Sequence, residues 1–533
     1  MAEVYHERRP YNAVADFVDA NVARGLGGKA AFIDPVHRLT YGALQRQTCR
    51  FGSGLLALGL KPEQRVALLL PDTIDFPVAF WGAIRAGLVV VPMNTWLTAD
   101  QYAYILSDSR VTALVADAGL LKQCGPALRQ ATSLQSIIVA GDAAALDAQI
   151  IPAQCQTMSF GDLCHLGTEA LFTAPTISDE VAFWLYTSGS TGAPKGVKHV
   201  HSSLMATAKL MGQGILELRE DDVVFSAAKL FFAYGLGNAM TFPMSVGATA
   251  ILWPDRPTPD AILALMRLHD PSIFYAVPSL YTALLVREEI GPGAGSRCLR
   301  LCVSAGEALP AHVGERWRDV TGVDVLDGLG STEMLQTFLS NRQGDIRYGS
   351  SGKPVPGYDV RIVGEDGRDV ADDDIGELIV RGPSAGEGYW NQRQKSRHTF
   401  SGEWTRTGDK YRRDVDGYYH YCGRNDDMFK VSGMWVSPFD VEAALISHEA
   451  VAEAAVIPKE DSDGLIKPKA FIVLRAGCVS DAALIDALRE HVKRTTGTWK
   501  YPRWIETRDA LPRTATGKVQ RYKLREEEAA SDS

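Results

Sequence analysis

The sequence predicts an α/β protein with a large N-terminal domain of two α/β subdomains and a small β-rich subdomain, followed by an α+β C-terminal domain. Three observations favour this fold class. Short apolar runs alternate with helical stretches, glycine- and aspartate-rich alternating segments follow from about residue 345, and a compact α+β pattern begins after Asp426. A chain of 533 residues is also too long for one hydrophobic core, so more than one domain is expected.

The first α/β stretch runs from about residue 38 to 150. Strands that alternate with helices indicate a largely parallel sheet. Residues 141 to 179 are less patterned and are expected to cross between subdomains. The predicted elements are a strand over Arg65 to Leu70, a helix from about Phe76 to Arg85, a strand over Leu88 to Pro92, a helix around Ala99 to Ser107 and a strand over Thr112 to Ala116.

A strand and a glycine-rich loop open the second α/β stretch. The apolar run Val181 to Tyr186 predicts the strand, and the residues after it predict a loop that leaves its end. Glycines let the backbone approach a ligand, successive N–H groups can surround an anion, and Lys195 adds a positive charge. The segment therefore predicts an oligophosphate site. Its predicted ligands are Thr187, Ser188, Gly189, Ser190, Thr191, Gly192 and Lys195.

This loop matches neither common nucleotide fingerprint. A Walker A motif needs Gly-Lys followed by Ser or Thr, whereas Lys195 lies between Pro194 and Gly196. The segment from Gly328 to Glu333 begins like a dinucleotide fingerprint but has Glu333 where its third glycine belongs. Both a P-loop NTPase and a dinucleotide-binding enzyme are therefore disfavoured.

The remaining elements complete the predicted architecture. Ser202 or Ser203 is expected to cap a helix that runs through Leu210 and Met211. Two successive α/β halves would frame a ligand in the cleft between them. Further predicted strands cover Val223 to Phe225, Ala248 to Leu252, Ser272 to Tyr275, Leu299 to Val303, Asp359 to Val363, Gly376 to Val380, Ala454 to Ile457 and Ala470 to Leu474, and a helix carries Leu484, Leu488 and Val492 on one face.

Composition and charge limit the classes of function that are expected for this chain. Hydrophobic residues make up 46% and charged residues 22% of the chain, which is typical of a globular protein. The net charge of -9 argues against general binding to nucleic acid or to an anionic membrane. The eight cysteines form no C-x-x-C pair, and no signal peptide or transmembrane run is apparent, so a cytoplasmic protein with reduced thiols is expected.

Four further segments carry polar residues of the kind that nucleotides need. A carboxylate at Glu333, after small hydroxyl residues, suits a magnesium ion that bridges phosphates. Asp409 in a tight turn suits ribose hydroxyls, as acidic residues do elsewhere. The other two segments run from Gly423 to Gly433 and from Pro512 to Lys518.

In this order and spacing, the five segments resemble those of the adenylate-forming superfamily of acyl- and aryl-CoA synthetases, adenylation domains and firefly-type luciferases. The resemblance covers essentially the whole chain. It implies an N-terminal domain over residues 1–425 and a mobile C-terminal domain over 426–533, with Asp426 as the hinge. It also implies ATP, Mg²⁺ and coenzyme A as cofactor and co-substrates.

A narrower resemblance is to bacterial benzoate- and hydroxybenzoate-CoA ligases. It rests on the segment from Ser226 to Asn238, on Ser304 to Pro310 and on Gly330 to Met334. Relatives of this type have a histidine where this chain has Gln336, followed here by Thr337. A buried polar group needs a partner, so we hypothesise that a ring hydroxyl or amino group is tolerated or preferred. The implied substrate-binding residues are Ala233, Tyr234, Gly235, Gly328, Gln336 and Thr337.

The resemblance also implies a role for each site residue. Thr332 would contact the α-phosphate, Glu333 the magnesium ion, and Lys518 the carboxylate and α-phosphate oxygens as charge develops on them. Gly433 would line the channel for the pantetheine arm of CoA. Adenine would be framed by Gly306, Glu307 and Asp327, and ribose would be held by Asp409 and Arg424.

Three alternatives stay open. A stand-alone adenylating enzyme would load a carrier protein rather than CoA, and a luciferase-like oxygenase would share these motifs. A non-enzymatic nucleotide-binding protein would leave Glu333, Asp409 and Lys518 unexplained. His199 and His201 form an H-x-H pair without an apparent third metal ligand, which favours packing or hydrogen bonding. The implied partner is a small aromatic carboxylate, and a homodimer stays open because the sequence does not determine oligomeric state.

Overall fold

The computed structural model of the protein describes residues 10–142, 148–189, 192–425, 427–431, 434–461, 465–496, 500–513 and 519–531. It divides into two compact units. The first comprises Met1–Tyr348, Gly352–Asp359 and Val380–Thr405, and the second comprises Gly349–Ser351, Val360–Ile379 and Arg406–Ser533. The predicted domain boundary stays a prediction, because Asp426 lies outside the described residues.

Strands occur in both units of the described chain. The strands are β1 (Ala30–Ile33), β2 (Arg38–Thr40), β3 (Arg65–Leu69), β4 (Val89–Pro92), β5 (Ala113–Asp117), β6 (Ser136–Ala140), β7 (Gln156–Ser159), β8 (Val181–Gly189), β9 (Gly192–Val200), β10 (Val223–Ser226), β11 (Thr249–Ile251), β12 (Ile273–Ala276), β13 (Leu301–Ser304), β14 (Val325–Gly330), β15 (Thr337–Ser340), β16 (Lys353–Pro354), β17 (Asp359–Val363), β18 (Gly376–Arg381), β19 (Phe400–Ser401), β20 (Trp404–Arg413), β21 (Tyr419–Arg424), β22 (Phe429–Val431), β23 (Met434–Val436), β24 (Val451–Glu460), β25 (Ile466–Leu474) and β26 (Trp504–Thr507).

The α-helices are equally spread along the chain. They are α1 (Ala20–Ala23), α2 (Tyr41–Ala57), α3 (Asp75–Arg85), α4 (Ala99–Ser109), α5 (Ala118–Leu128), α6 (Phe160–Leu166), α7 (His201–Thr207), α8 (Ala233–Leu236), α9 (Phe242–Val246), α10 (Pro259–His269), α11 (Pro278–Leu285), α12 (Ala311–Thr321), α13 (Arg393–Thr399), α14 (Pro438–Ile446), α15 (Ala482–Thr496) and α16 (Arg521–Ser531).

One sheet of the first unit has seven strands in the order β7-β6-β5-β3-β4-β8-β9. Adjacent strands are parallel from β7 to β8, and β9 is antiparallel to β8. Leu114 and Ile137 of the strands pack with Tyr102 of α4 in a buried core, where each large apolar side chain contributes about 1.5–3 kcal/mol. The predicted largely parallel sheet is confirmed. Part of the stretch expected to cross between subdomains instead forms β7 at the edge of this sheet.

The other large sheet has nine strands in the order β16-β15-β14-β13-β12-β10-β11-β1-β2. Adjacent strands are parallel from β14 across the middle of the sheet to β1. At the edges, β2 is antiparallel to β1, β15 is antiparallel to β14, and β16 is antiparallel to β15. The α/β halves are therefore not strictly successive, because β1 and β2 from the beginning of the chain complete the second sheet. On one side, Phe274, Tyr281 and Trp317 pack in a buried core between the strands and helices α10 to α12.

The start of one helix follows from a local capping pattern, whereas the start of another differs from the prediction. Thr98 and Gln101 form a reciprocal capping box at the start of α4, which satisfies two backbone donors. Helix α7 begins at His201 after Val200, whose side chain makes no capping hydrogen bond, so the predicted cap at Ser202 or Ser203 is wrong. The helical path continues through Leu210 and Met211 as a π-helical segment, Ala208–Gln213.

The second unit is α+β. It contains most of a five-stranded sheet that is formed by β17 to β21. Later in the chain it contains a three-stranded sheet in the order β24-β25-β26. Val456 and Ile472 of this smaller sheet pack with Leu488 and Val492 of α15 in a buried core. The predicted fold class, a mixed α/β protein with a β-rich region and a smaller α+β C-terminal part, is confirmed. In the part of the chain that the structure describes, no helix is long and apolar enough to cross a membrane.

Candidate functional site

The predicted phosphate-binding segment forms a β-hairpin. Strands β8 and β9 are antiparallel, and Thr187 pairs with Lys195 across them. The sequence predicted a loop here, but the residues up to Gly189 belong to β8 and those from Gly192 onward belong to β9. The Tyr186 hydroxyl donates to Asp108 Oδ2 at 2.6 Å, and a side chain at Gly196 would come within 3.0 Å of the Tyr186 ring. Ser190 and Thr191 lie outside the described residues, so their predicted role stays a prediction.

Glu333 lies in the turn that joins β14 to β15. Leu335 has a positive φ of 65°, and its N–H donates to the Thr332 carbonyl oxygen at 3.1 Å, which closes a tight turn. His199 Nε2 on β9 donates to the same carbonyl at 2.9 Å. Burial lowers the pKa of His199 to about 4, so this imidazole is neutral and acts as a hydrogen-bond donor. Strand β9 therefore holds the backbone of Thr332 and Glu333 in place through His199.

His201, the second member of the H-x-H pair, also takes part in backbone hydrogen bonding. Its Nδ1 accepts a hydrogen bond from the Ala13 N–H at 3.3 Å, and burial lowers its pKa to about 4. Both histidines are buried and hydrogen-bonded to the backbone. The structure thus agrees with packing and hydrogen bonding rather than with a metal site.

Tyr389 connects Lys195 to Glu333. Its hydroxyl donates to Glu333 Oε1 at 2.7 Å, and Lys195 Nζ donates to the same hydroxyl oxygen at 3.4 Å. Lys195 Nζ also lies 4.4 Å from the centroid of the Tyr389 ring. Sequence reasoning missed this residue. It lies 194 positions from Lys195 and 56 from Glu333, and no local motif marks it.

The predicted aryl wall lies at the carboxyl ends of the parallel strands, where ligands bind in open α/β sheets. Ala233, Tyr234 and Gly235 begin α8. The Tyr234 hydroxyl donates to the Val303 carbonyl oxygen at 3.1 Å, and burial raises the pKa of this phenol well above its ordinary value. The hydroxyl is thus hydrogen-bonded to the backbone at the end of β13, and only the ring of Tyr234 can form part of the predicted aryl wall.

Glycine at position 235 is required by the chain itself. A Cβ there would come within 2.0 Å of the Lys229 carbonyl oxygen. Lys229 Nζ in turn donates to the carbonyl oxygens of Trp253 and Asp255. Asp72 Oδ1 accepts the Leu230 N–H at 3.1 Å, and burial raises the pKa of Asp72 to about 6. The sequence did not predict these two buried groups, Asp72 and Lys229, whose separate bonds to the backbone anchor the segment that leads into the aryl wall.

Gln336 already has hydrogen-bond partners within the protein. Its Nε2 donates to the carbonyl oxygens of Ala233 at 3.2 Å and Tyr234 at 3.1 Å. Its Oε1 accepts the Thr337 N–H at 2.9 Å and the Thr337 hydroxyl at 3.0 Å. Gln336 therefore needs no hydrogen-bond partner from the substrate, because α8 and Thr337 supply its partners.

Gly328 and Gly330 are required by strand packing. A Cβ at Gly328 would come within 2.7 Å of the Leu339 carbonyl oxygen, and one at Gly330 within 2.8 Å of the Gln336 backbone. Asp327 is buried beside them, and its Oδ2 accepts the Leu309 N–H at 3.3 Å. Burial raises the pKa of Asp327 to about 8.

The residues predicted to frame adenine leave neighbouring strands. Ser304, the last residue of β13, pairs with Asp327 of β14 in the parallel register. Gly306 follows β13 with a positive φ of 95°, a conformation that suits glycine, and Glu307 comes next. The fold therefore brings Gly306, Glu307 and Asp327 to the carboxyl ends of adjacent strands.

The predicted ribose ligands lie in the second unit and form an ion pair. Asp409 on β20 and Arg424 on β21 face each other in the antiparallel register, and Arg424 Nη1 lies 2.9 Å from Asp409 Oδ1. The same Nη1 donates to the Thr407 carbonyl oxygen at 3.2 Å. Arg424 thus orients a carboxylate that is mostly buried. Asp426, Gly433 and Lys518 lie outside the described residues, and their roles stay predictions.

Comparison with known proteins assigns the chain to a family. The family model for AMP-binding enzymes matches residues 19–390, and the model for the C-terminal domain of AMP-binding enzymes matches residues 440–518. The chain belongs to the AMP-binding enzyme family. The predicted resemblance to adenylate-forming enzymes is confirmed.

Individual members of the AMP-binding family match over nearly their full lengths. The chain is 55% identical over 519 residues to the 4-hydroxybenzoate–CoA/benzoate–CoA ligase of Rhodopseudomonas palustris, covering 97% of this chain and 94% of that protein. It is 52% identical to the benzoate–CoA ligase of Thauera aromatica, covering 97% and 96%. The solved structure of a benzoate CoA ligase from Burkholderia xenovorans LB400 superposes with a TM-score of 0.87 at 46% identity, covering 97% and 100%.

The carboxylate of Glu333 fits the metal role that the resemblance implies. Among the residues that the structure describes, no group of three or more His, Cys, Asp or Glu side chains could hold a metal ion. Mg²⁺ commonly binds through one or two carboxylates together with water and substrate phosphates, so an AMP-binding enzyme needs no all-protein cage. The hydrogen bond from Tyr389 occupies Glu333 Oε1 and orients the carboxylate.

Proposed function

We propose that this AMP-binding enzyme is an ATP-dependent aryl-CoA ligase, an acid–thiol ligase that forms AMP. The observation that carries the proposal is the similarity, over nearly the whole chain, to ligases named for benzoate and 4-hydroxybenzoate. The geometry supports it, because the candidate phosphate, adenine and aryl residues of the first unit lie at strand ends of its two large sheets.

The proposed reaction has two steps. A carboxylate oxygen of the aromatic acid attacks the α-phosphorus of ATP, the bond to the β-phosphate breaks, and pyrophosphate leaves. The sulfur of CoA then attacks the acyl carbon of the aryl-adenylate, the bond to the phosphate breaks, and AMP leaves. Because the substrate supplies the nucleophile, the protein contributes positioning and charge stabilisation.

In this proposal, Lys195 holds the β- and γ-phosphates, Thr332 contacts the α-phosphate and Glu333 holds magnesium. A bound magnesium ion would neutralise charge on the phosphate oxygens. Lys195 is half-buried beside the Tyr389 ring, which limits the conformations of its long side chain before a phosphate arrives.

The proposed substrates are benzoate and its hydroxy- or amino-derivatives. Tyr234 offers a ring surface, while Gln336 and Thr337 bond to the backbone and to each other. A substrate hydroxyl would have to compete with these internal hydrogen bonds. We therefore expect ring substituents to be tolerated, with kcat/KM within about tenfold of benzoate, which corresponds to about 1.4 kcal/mol.

The experiment that tests the reaction is product analysis with benzoate, ATP and CoA. We expect AMP, pyrophosphate and benzoyl-CoA in equal amounts. Release of ADP and phosphate would contradict the proposal. The alternative, loading of a carrier protein, predicts AMP and pyrophosphate without a CoA thioester and transfer to an added phosphopantetheinyl carrier. Repeating the assay with 3-hydroxy-, 4-hydroxy- and 2-aminobenzoate determines the ring preference.

Lys518 provides a prediction that separates the two steps. Lys518→Ala should lower adenylate formation by at least 100-fold, because the charge that bridges the developing oxyanions is lost. Thioester formation from supplied benzoyl-adenylate should stay within about threefold of wild type. Pyrophosphate exchange and CoA consumption measure the two steps separately, and an equal loss of both would refute the assignment.

We also propose the cytoplasm as the place of action, because the eight cysteines are free thiols, as in reducing compartments. A homodimer is a further proposal, and light scattering of the purified protein would test it.

A further inference from the structure

We propose that Tyr389 is a positioning residue that couples the lysine of the phosphate-binding hairpin to the metal-binding glutamate. This inference rests on the proposed function, because it assigns Lys195 and Glu333 to ATP and its magnesium ion. It adds a residue to which neither the sequence nor the family comparison gave a role.

The backbone holds Tyr389 between the two groups that it contacts. The Gly386 N–H donates to the Glu333 carbonyl oxygen at 2.8 Å, and the Trp390 N–H donates to the Gly196 carbonyl oxygen at 2.8 Å. The segment that carries Tyr389 is therefore hydrogen-bonded at one end to Glu333 and at the other to the residue after Lys195. Tyr389 itself is 5% exposed, so its ring cannot turn away into solvent.

The chemistry of a phenol fixes the direction of the coupling. A tyrosine hydroxyl donates one hydrogen and accepts others, whereas an ammonium group only donates and a carboxylate only accepts. Lys195 Nζ therefore donates to the hydroxyl, and the hydroxyl donates to Glu333 Oε1. Thr399 Oγ1 lies farther from the hydroxyl, at 3.4 Å, than Glu333 Oε1 at 2.7 Å, so the carboxylate receives the phenolic hydrogen.

The hydroxyl and the ring contribute separately. The hydroxyl orients the Glu333 carboxylate through its hydrogen bond to Oε1. The ring supports Lys195 through a cation–π contact with the ammonium 4.4 Å from its centroid. Groups that orient a metal ligand change metal affinity by about 10- to 100-fold when they are removed. Loss of the hydroxyl should therefore weaken metal binding, and loss of the ring should additionally weaken phosphate binding.

The test measures binding rather than turnover. Mn²⁺ is titrated by electron paramagnetic resonance into the full-length protein saturated with α,β-methylene-ATP, and pyrophosphate affinity is measured by calorimetry. Tyr389→Phe should weaken Mn²⁺ binding about tenfold and leave pyrophosphate affinity within twofold. Tyr389→Leu should weaken both. Neither measurement needs an aromatic acid or CoA, so failure of the proposed substrate class leaves this test intact.

Tyr41→Phe is the matched control. Its buried hydroxyl donates to the Ala248 carbonyl oxygen at 2.7 Å, the same length as the bond from Tyr389 to Glu333, but it contacts none of the candidate site residues. We expect Tyr41→Phe to bind Mn²⁺ like wild type. Equal weakening in both variants, or Mn²⁺ affinity of Tyr389→Phe within twofold of wild type, would overturn the proposal.

A double-mutant cycle tests whether Tyr389 affects metal binding through Glu333. In a Glu333→Gln background the hydroxyl no longer orients a carboxylate, so Tyr389→Phe should change Mn²⁺ affinity by less than twofold. A further tenfold loss in that background would show that Tyr389 acts by another route and would overturn the assignment.

Discussion

Two regions of the first unit use polar side chains in opposite ways. In the phosphate region, Lys195, Tyr389 and Glu333 bond to one another through their side chains. In the aryl region, the Tyr234 hydroxyl and Gln336 Nε2 donate to backbone carbonyl oxygens. The first arrangement keeps charges available to a ligand, whereas the second uses polar atoms to hold the shape of the wall.

This difference shows that polar residues near a site need not contact the ligand with their polar atoms. A buried polar group without a partner is costly, so either the protein or the ligand must supply one. At Gln336 the protein does so, and the residue is expected to act on the substrate through shape. At Glu333 one carboxylate oxygen accepts a hydrogen bond from the Tyr389 hydroxyl, and the residue is expected to act on the ligand through its charge. Substitutions in the two regions should therefore have different kinetic signatures.

Glu333→Gln should give the largest effect. The substitution keeps the size of the side chain but removes the negative charge that attracts magnesium. We expect adenylate formation, measured by pyrophosphate exchange, to fall about 100-fold, comparable to the loss of one transition-state stabilising group. The magnesium concentration required for half-maximal rate should rise, while the KM for benzoate should stay within threefold.

Glu526→Gln, an exposed position on α16, serves as its control and should retain full activity. If adenylate formation fell less than fivefold in Glu333→Gln, the charge of Glu333 would not be essential, and the proposed difference between the two regions would be contradicted.

Gly237→Ala tests the aryl region. The added Cβ would lie 2.1 Å from Gln336 Nε2, and because this atom ends a flexible side chain, Gln336 can move without unfolding the protein. Its bonds to the carbonyl oxygens of Ala233 and Tyr234 would then break. We expect the KM for benzoate to rise about tenfold, or about 1.4 kcal/mol, with the KM for ATP unchanged.

The matched substitution is Gly28→Ala, since no atom lies within 4 Å of a Cβ added at Gly28. Equal changes in the KM values for benzoate and ATP in Gly237→Ala would contradict a shape-holding role for Gln336.

The sequence was sufficient for the fold class and for most strands, because apolar runs of strand length alternate with helical patterns. It was insufficient wherever distant segments meet. The strands β1 and β2 join a sheet built mostly from residues beyond 220, and no local pattern records that pairing. Motif spacing located Lys195 and Glu333, whereas the roles of Tyr389, Asp72 and Lys229 became visible only through tertiary hydrogen bonds. The carbonyl partners of Gln336 Nε2 also lie far away in the sequence, so they could not be predicted from it.

Asp327→Asn should give the smallest effect, which is measured as a change in the pH dependence of stability. The folded-state pKa of Asp327 is raised to about 8, above the ordinary value of 3.8. The folded protein therefore keeps a proton that the unfolded chain releases, so this group's contribution to stability falls as pH rises toward 8. Asparagine fits the hydrogen bond from the Leu309 N–H and has no such dependence. Between pH 7 and pH 8, the free energy of unfolding of the variant should gain about 1 kcal/mol relative to wild type in urea titrations. A constant difference between the two proteins would mean that Asp327 is already ionised in the folded state between pH 7 and pH 8, which would contradict its raised pKa.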